Sequence, residues 1–83
     1  MQYRLDLVLH PAEGALLRVI GMAERRGFSP QAVHGAADAT DQGRWHLQLV
    51  VDGDRPPETL CRQIEKIYDC VSVKVTALQG VAA

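Results

Sequence analysis

Apolar residues recur at two different spacings along this chain, and the switches between them mark out its elements. Tyr3, Leu5, Leu7 and Leu9 alternate with Arg4, Asp6 and Val8, which predicts a first strand with one buried face. From about Ala15 the spacing lengthens: Leu16, Val19, Ile20 and Ala23 follow an i, i+3, i+4, i+7 rule and form one stripe of an amphipathic helix. Arg25 and Arg26 favour the negative end of the helix dipole, and Gly27 can take the left-handed cap conformation, so the helix is predicted to stop there. Gln31 to Asp38 reads as a weaker strand, because Gly35, Ala36 and Ala37 suit a sheet edge. A polar turn, Ala39-Thr40-Asp41-Gln42-Gly43, leads into a strong strand from Arg44 to Asp52. In that strand Trp45, Leu47, Leu49 and Val51 share one phase, which assigns Trp45 to the core.

Gly53-Asp54-Arg55-Pro56-Pro57 breaks the pattern, and Pro57 can open a second helix with Glu58 supporting its positive end. Leu60, Ile64 and Ile67 would face inward, with Cys61 and Tyr68 at the border of the stripe. Val71, Val73, Val75 and Ala77 then alternate with Ser72, Lys74 and Thr76 in a last strand. The order strand, helix, strand, strand, helix, strand is the split βαβ arrangement of ferredoxin-like α+β sandwiches, in which two helices cover one face of four antiparallel strands. The opposite face would show Arg4, Asp6, Val8, His46, Gln48, Val50, Lys74 and Thr76, a mixed surface able to meet water or a partner. Residues 1–79 are expected to form the one domain and residues 80–83 a loose tail.

A chain of 83 residues buries one modest core, which makes oligomerisation or docking to a larger protein a natural supplement to its stability. The net charge of −1 and the scattered basic residues argue against a phosphate-tracking surface for nucleic acid. No apolar run approaches the ~20 residues that span a bilayer, and the start lacks a charged leader, so a soluble, cytoplasmic protein is expected. Cys61 and Cys70 are too few and too irregularly placed for a disulfide framework or a paired zinc motif, and read as inert packing residues.

Three histidines, ten carboxylates and two cysteines form no catalytic constellation, so no catalytic residue and no metal site is assigned. His10 ends the first strand, His34 lies in the weak strand and His46 on the open face, where structural or solvated roles suffice. The loop His10-Pro11-Ala12-Glu13-Gly14 carries neither the CxxC of a metal carrier nor the arginine of a phosphate-cradling enzyme loop. It does feed a helix whose first amides are unpaired, and Gly14 either lets a carboxylate approach them or simply gives a flexible helix start. Arg25 and Arg26 likewise fit two roles, gripping a partner's carboxylate or capping the helix end.

The stretch from His10 to Phe28 resembles the first loop and helix of ACT domains. Gly14-Ala15-Leu16-Leu17-Arg18-Val19 is similar to that family's glycine-apolar-leucine helix start, and Arg25-Arg26-Gly27-Phe28 resembles the helix end in small subunits of acetolactate synthase. The short chain points to the isozyme 2 type, which has no further domain after this one. The resemblance implies a non-catalytic regulatory subunit that activates or stabilises an acetolactate synthase large subunit in branched-chain amino-acid biosynthesis. Thiamine diphosphate, magnesium and FAD would belong to that partner. It also implies an amino-acid site at Glu13, Gly14, Ala15, Leu16, Ser29 and Pro30, and a partner interface including Arg25, Arg26, Gln31, Val33 and His34.

Two departures shape that expectation. Glu13 stands where the family usually has proline, and Ser29-Pro30 replace the usual asparagine after the Gly-Phe pair. Pro30 has no amide hydrogen and Ser29 only a short hydroxyl, so fewer polar contacts remain for valine, leucine or isoleucine, and weak amino-acid sensitivity is expected. The rival reading is a stand-alone homodimeric sensor of a small amino acid, joined through the first helix and the Gln31 to Asp38 edge.

Overall fold

A computed structural model describes residues 1–78. The predicted loose tail at residues 80–83 lies outside that range. The described chain runs β1 (Gln2–Leu9), α1 (Ala15–Arg25), β2 (Ser29–Asp38), a short 3-10 turn (Ala39–Asp41), β3 (Arg44–Asp52), α2 (Pro57–Glu65) and β4 (Cys70–Leu78). The strands form one four-stranded sheet in the order β2-β3-β1-β4, and every neighbouring pair is antiparallel. This is the expected ferredoxin-like α+β sandwich.

Period-two alternation places Leu5, Leu7 and Leu9 of β1 opposite Leu49, Leu47 and Trp45 of β3, all on the helical side of the sheet. Leu47, Leu49 and Val51 close on Val19 and Ala23 of α1 and Leu60 and Ile64 of α2, and all of these are buried. Phe28 completes the core; its ring meets Tyr3 edge-on at 6.2 Å. Phe28 also needs Gly53, since a Cβ at Gly53 would lie 2.6 Å from the Phe28 ring.

The end of α1 has a complete hydrogen-bonded cap. Phe28 N–H donates to the Ala23 carbonyl at 2.9 Å and Gly27 N–H to the Glu24 carbonyl at 3.1 Å, with Gly27 at φ +87°. Those two bonds and the burial of Ala23 and Phe28 together constitute a Schellman motif, so Gly27-Phe28 is explained by helix termination alone.

Four details differ from the sequence reading. The deeply buried stripe of α1 is Ala15, Val19 and Ala23, whereas Leu16 and Ile20 are only half-buried, a rotation that leaves Leu17 73 % exposed. α2 ends at Glu65, one turn earlier than its apolar spacing suggested, so Tyr68 falls in the following loop and is 94 % exposed. Trp45 keeps the inward phase but is 40 % exposed, at the end of β3 where the first residues of α1 leave an open pocket beside it. β2 begins at Ser29 rather than Gln31, and a register shift between Pro30 and Ala32 leaves Gln31 outside the ladder.

Candidate functional site

The β1–α1 loop is built on its own backbone. His10 N–H donates to the Asp69 carbonyl at 2.8 Å, Ala12 N–H to His10 at 2.7 Å and Ala15 N–H to Ala12 at 3.1 Å. The Ala15 amide is therefore already used within the loop. Gly14 caps the helix at φ +78°, a left-handed position without a side-chain cap. Arg18, one turn into α1, folds back over it: a Cβ at Gly14 would lie 3.1 Å from the Arg18 guanidinium. That guanidinium donates from Nη2 to the Glu13 carbonyl at 3.1 Å and from Nε to Asp69 Oδ2 at 3.1 Å. A second donation from Nη2 reaches the same Asp69 oxygen. Gly14 is thus needed both for its backbone angle and for the arginine packed against it.

Beside this loop lies an apolar pocket of about 180 Å³, lined by Leu9, Ala12, Gly14, Ala15, Leu16, Leu17, Trp45 and Leu47. It brings together three of the residues assigned to amino-acid binding, Gly14, Ala15 and Leu16. Leu17 and Trp45 were missed by sequence reasoning, since period alone does not reveal which part of a strand a helix leaves uncovered. Ser29 and Pro30 are not in this pocket. They pair with Asp52 and Val51, at the end of β3 opposite to Trp45. The 11-residue helix α1 spans that separation, roughly 16 Å at 1.5 Å per residue. The residues expected to form one amino-acid site therefore lie at two places a helix length apart in one chain.

The expected partner residues divide similarly. Arg25 and Arg26 lie exposed at the end of α1, while Val33 and His34 lie on opposite faces of edge strand β2. Val33 faces the helical side opposite Leu49, and His34 the open side opposite Gln48. Val33, Gly35 and Ala37 form an exposed small-residue row on the helical side, in register with Leu49, Leu47 and Trp45. At Gly35 a Cβ would meet the His46 carbonyl oxygen at 2.3 Å, so only glycine allows β2 to approach β3 there.

On the open face, His34, Gln48, Asp6 and Lys74 make one row across all four strands. His46 sits diagonal to His34 and approaches Asp41 at 2.8 Å between Nε2 and Oδ2. Asp38 accepts from Thr40 N–H at 2.9 Å and Thr40 Oγ1 at 2.6 Å. Those bonds, the hydroxyl first, and the His46 charge hold its carboxyl below the usual carboxylate range. Burial pushes the Cys61 thiol up, helped by Glu65 and Glu58, and burial and Glu65 do the same to Cys70. Among the described residues no group of three or more His, Cys, Asp or Glu is placed to hold a metal ion, and no helix is long and apolar enough to cross a membrane.

Residues 11–73 match the ACT domain family. Among solved structures, the ACT domain from the GTP pyrophosphokinase of Chlorobium tepidum superposes with a TM-score of 0.73 at 13 % identity, covering 92 % of this chain and 97 % of that one. A formyltetrahydrofolate deformylase from Burkholderia mallei gives 0.72 at 19 % identity over 90 % of this chain, which spans only 27 % of the deformylase. The C-terminal domain of the MgtC protein from Mycobacterium tuberculosis gives 0.71 at 12 % identity, covering 99 % and 92 % of the two chains. At these identities the structures establish the fold, and the family match establishes kinship. The chain belongs to the ACT domain family, whose domains regulate through amino-acid sensing and do not themselves catalyse.

Proposed function

We propose that this ACT domain is a non-catalytic regulatory subunit of acetolactate synthase in branched-chain amino-acid biosynthesis, acting in the cytoplasm. The observation that carries the docking part of this reading is the uncovered apolar strip formed by Leu17, Trp45 and Val33 beside the unpaired edge of β2. Apolar side chains next to free strand amides suit a protein partner better than water. The resemblance of Arg25-Arg26-Gly27-Phe28 to the synthase small subunits supports this partner, and because helix termination accounts for Gly27 and Phe28, Arg25 and Arg26 carry that support. On this reading the large subunit holds thiamine diphosphate, magnesium and FAD, and the domain activates by binding its productive conformation more tightly than its others.

A second reading, a homodimeric sensor, is favoured by the separation of Gly14 from Ser29 and Pro30. Two copies paired antiparallel through α1 and β2 would bring Gly14 of one near Ser29 and Pro30 of the other. The apolar pocket could then take the side chain of valine, leucine or isoleucine. The deciding experiment measures acetolactate formation by the large subunit with and without this domain across those three amino acids. Activation insensitive to them supports the first reading, and inhibition by one of them shows a working ligand site. An unchanged rate in every condition removes the subunit reading and leaves the sensor.

A further inference from the structure

We infer that the cleft between the end of α1 and the start of α2 is a dock for an acidic segment of the partner enzyme, an inference that rests on the regulatory-subunit reading. The cleft, of about 130 Å³, is lined by Arg26, Arg55 and Thr59 on its polar side and by Phe28, Pro56 and Leu60 on its apolar side. Phe28 and Leu60 are buried core residues, so the apolar wall is held by the fold. Two glycines shape it. Gly53 admits the Phe28 ring, and Gly27 admits Arg55, whose Nε lies 3.0 Å from where a Cβ on Gly27 would be.

Arg25, Arg26, Arg55 and Arg62 are the arginines without an ion pair among the described residues, and of these Arg26 and Arg55 share the cleft. Arg4, Arg18 and Arg44 pair with Asp6, Asp69 and Asp41. Capping accounts for Gly27 and Phe28 but leaves Arg26 and Arg55 without a partner. Guanidinium groups receive carboxylates through paired N–H donors, and Thr59 adds a hydroxyl. The occupant that fits is an aspartate or glutamate of the partner next to an apolar side chain. The carboxylate would lie between Arg26 and Arg55, and the apolar group against the exposed Pro56 ring, over the floor made by Phe28 and Leu60.

The test measures the affinity of the full chain for the acetolactate synthase large subunit at low and high salt. Wild type is compared with R26E, R55E, the double reversal, and R62E as a control for net charge on an exposed α2 residue outside the cleft. Matched thermal melts check folding, and the neutral R26Q and R55Q replace any reversal that fails to fold. The dock predicts that the double reversal weakens binding by about tenfold or more and flattens its salt dependence, while R62E binds like wild type. Equal binding by wild type and the double reversal overturns it. If wild type does not bind the large subunit at all, the subunit reading itself falls and takes the named partner with it.

Discussion

Arg18 Nε lies 3.1 Å from Asp69 Oδ2, joining the first turns of α1 to the loop that connects α2 to β4. The Asp69 side chain is 7 % exposed and the Arg18 side chain 50 %, so the two ends of this pair differ in environment. The same guanidinium holds the Glu13 carbonyl, and the Asp69 carbonyl holds the His10 amide. The β1–α1 loop is thereby tied to the loop between α2 and β4.

The asymmetry gives an ordered prediction for stability. R18A leaves a buried carboxylate without its partner and should cost about 1–3 kcal/mol. D69N keeps the shape and leaves a half-exposed arginine that water can solvate, so it should cost less. Urea unfolding of both variants checks the order, and a larger loss in D69N would contradict it.

Two glycine substitutions should act in opposite directions. G35A drives a methyl group into the β3 backbone at His46 and should destabilise by about 1–3 kcal/mol. G21A lies within α1 with nothing within 4 Å of the new Cβ, and should stabilise by about 0.4–1 kcal/mol through lower unfolded-state entropy. Thermal melts of the isolated protein at low concentration read both.

The apolar strip predicts a separation of folding from association. L17D alters a side chain that is 73 % exposed, so the melting temperature should move by no more than about 2–4 °C. Association should nevertheless be lost. Trp45, the only tryptophan, provides the readout: its emission should shift to the blue when wild type binds the large subunit or a second copy, and stay unchanged for L17D.

Both cysteines should resist alkylation while the protein is folded. Their thiol pKa values are raised above the ordinary 9.0, so at pH 8 the thiolate fraction is smaller in the native state than in the unfolded one. The linked stability is complete below pH 9.0 and declines as pH rises through the raised folded values. Iodoacetamide labelling followed by mass spectrometry should show slow modification, Cys61 the slower because it is more buried, and rapid labelling in denaturant.

Asp38 sets the acid limit of the β2–β3 turn. Its pKa is lowered below 3.8 in the folded protein, so its contribution is full above that value and lost as pH falls through the lowered one. The Thr40 amide resonance should keep its hydrogen-bonded position down to pH 3.8 and shift below it. A Thr40 shift already complete at higher pH would contradict the assignment.

Much of the fold was legible because its signals are local. The span Arg44 to Asp52 came from alternation alone and agrees with β3 at both ends. Gly27 as a helix stop and Pro57 as a helix start follow from backbone angles and a missing amide hydrogen, which belong to the residues themselves. The candidate site was legible only in part. Gly14, Ala15 and Leu16 were found at the loop, whereas Leu17, Trp45 and the Arg18–Asp69 pair were not, because each depends on residues distant in sequence.

The sequence by itself determined the order of strands and helices, their boundaries within a few residues, and the face each strand turns inward, since spacing dictates direction. Tertiary structure alone decided which inward positions are covered. Helices of 11 and nine residues leave the end of β3 and the β2 edge open, so Trp45 and Val33 face inward yet meet solvent. It also decided that Gly14 and Ser29 stand a helix length apart, because an antiparallel sheet sends the start of β2 to the opposite end from the loop after β1.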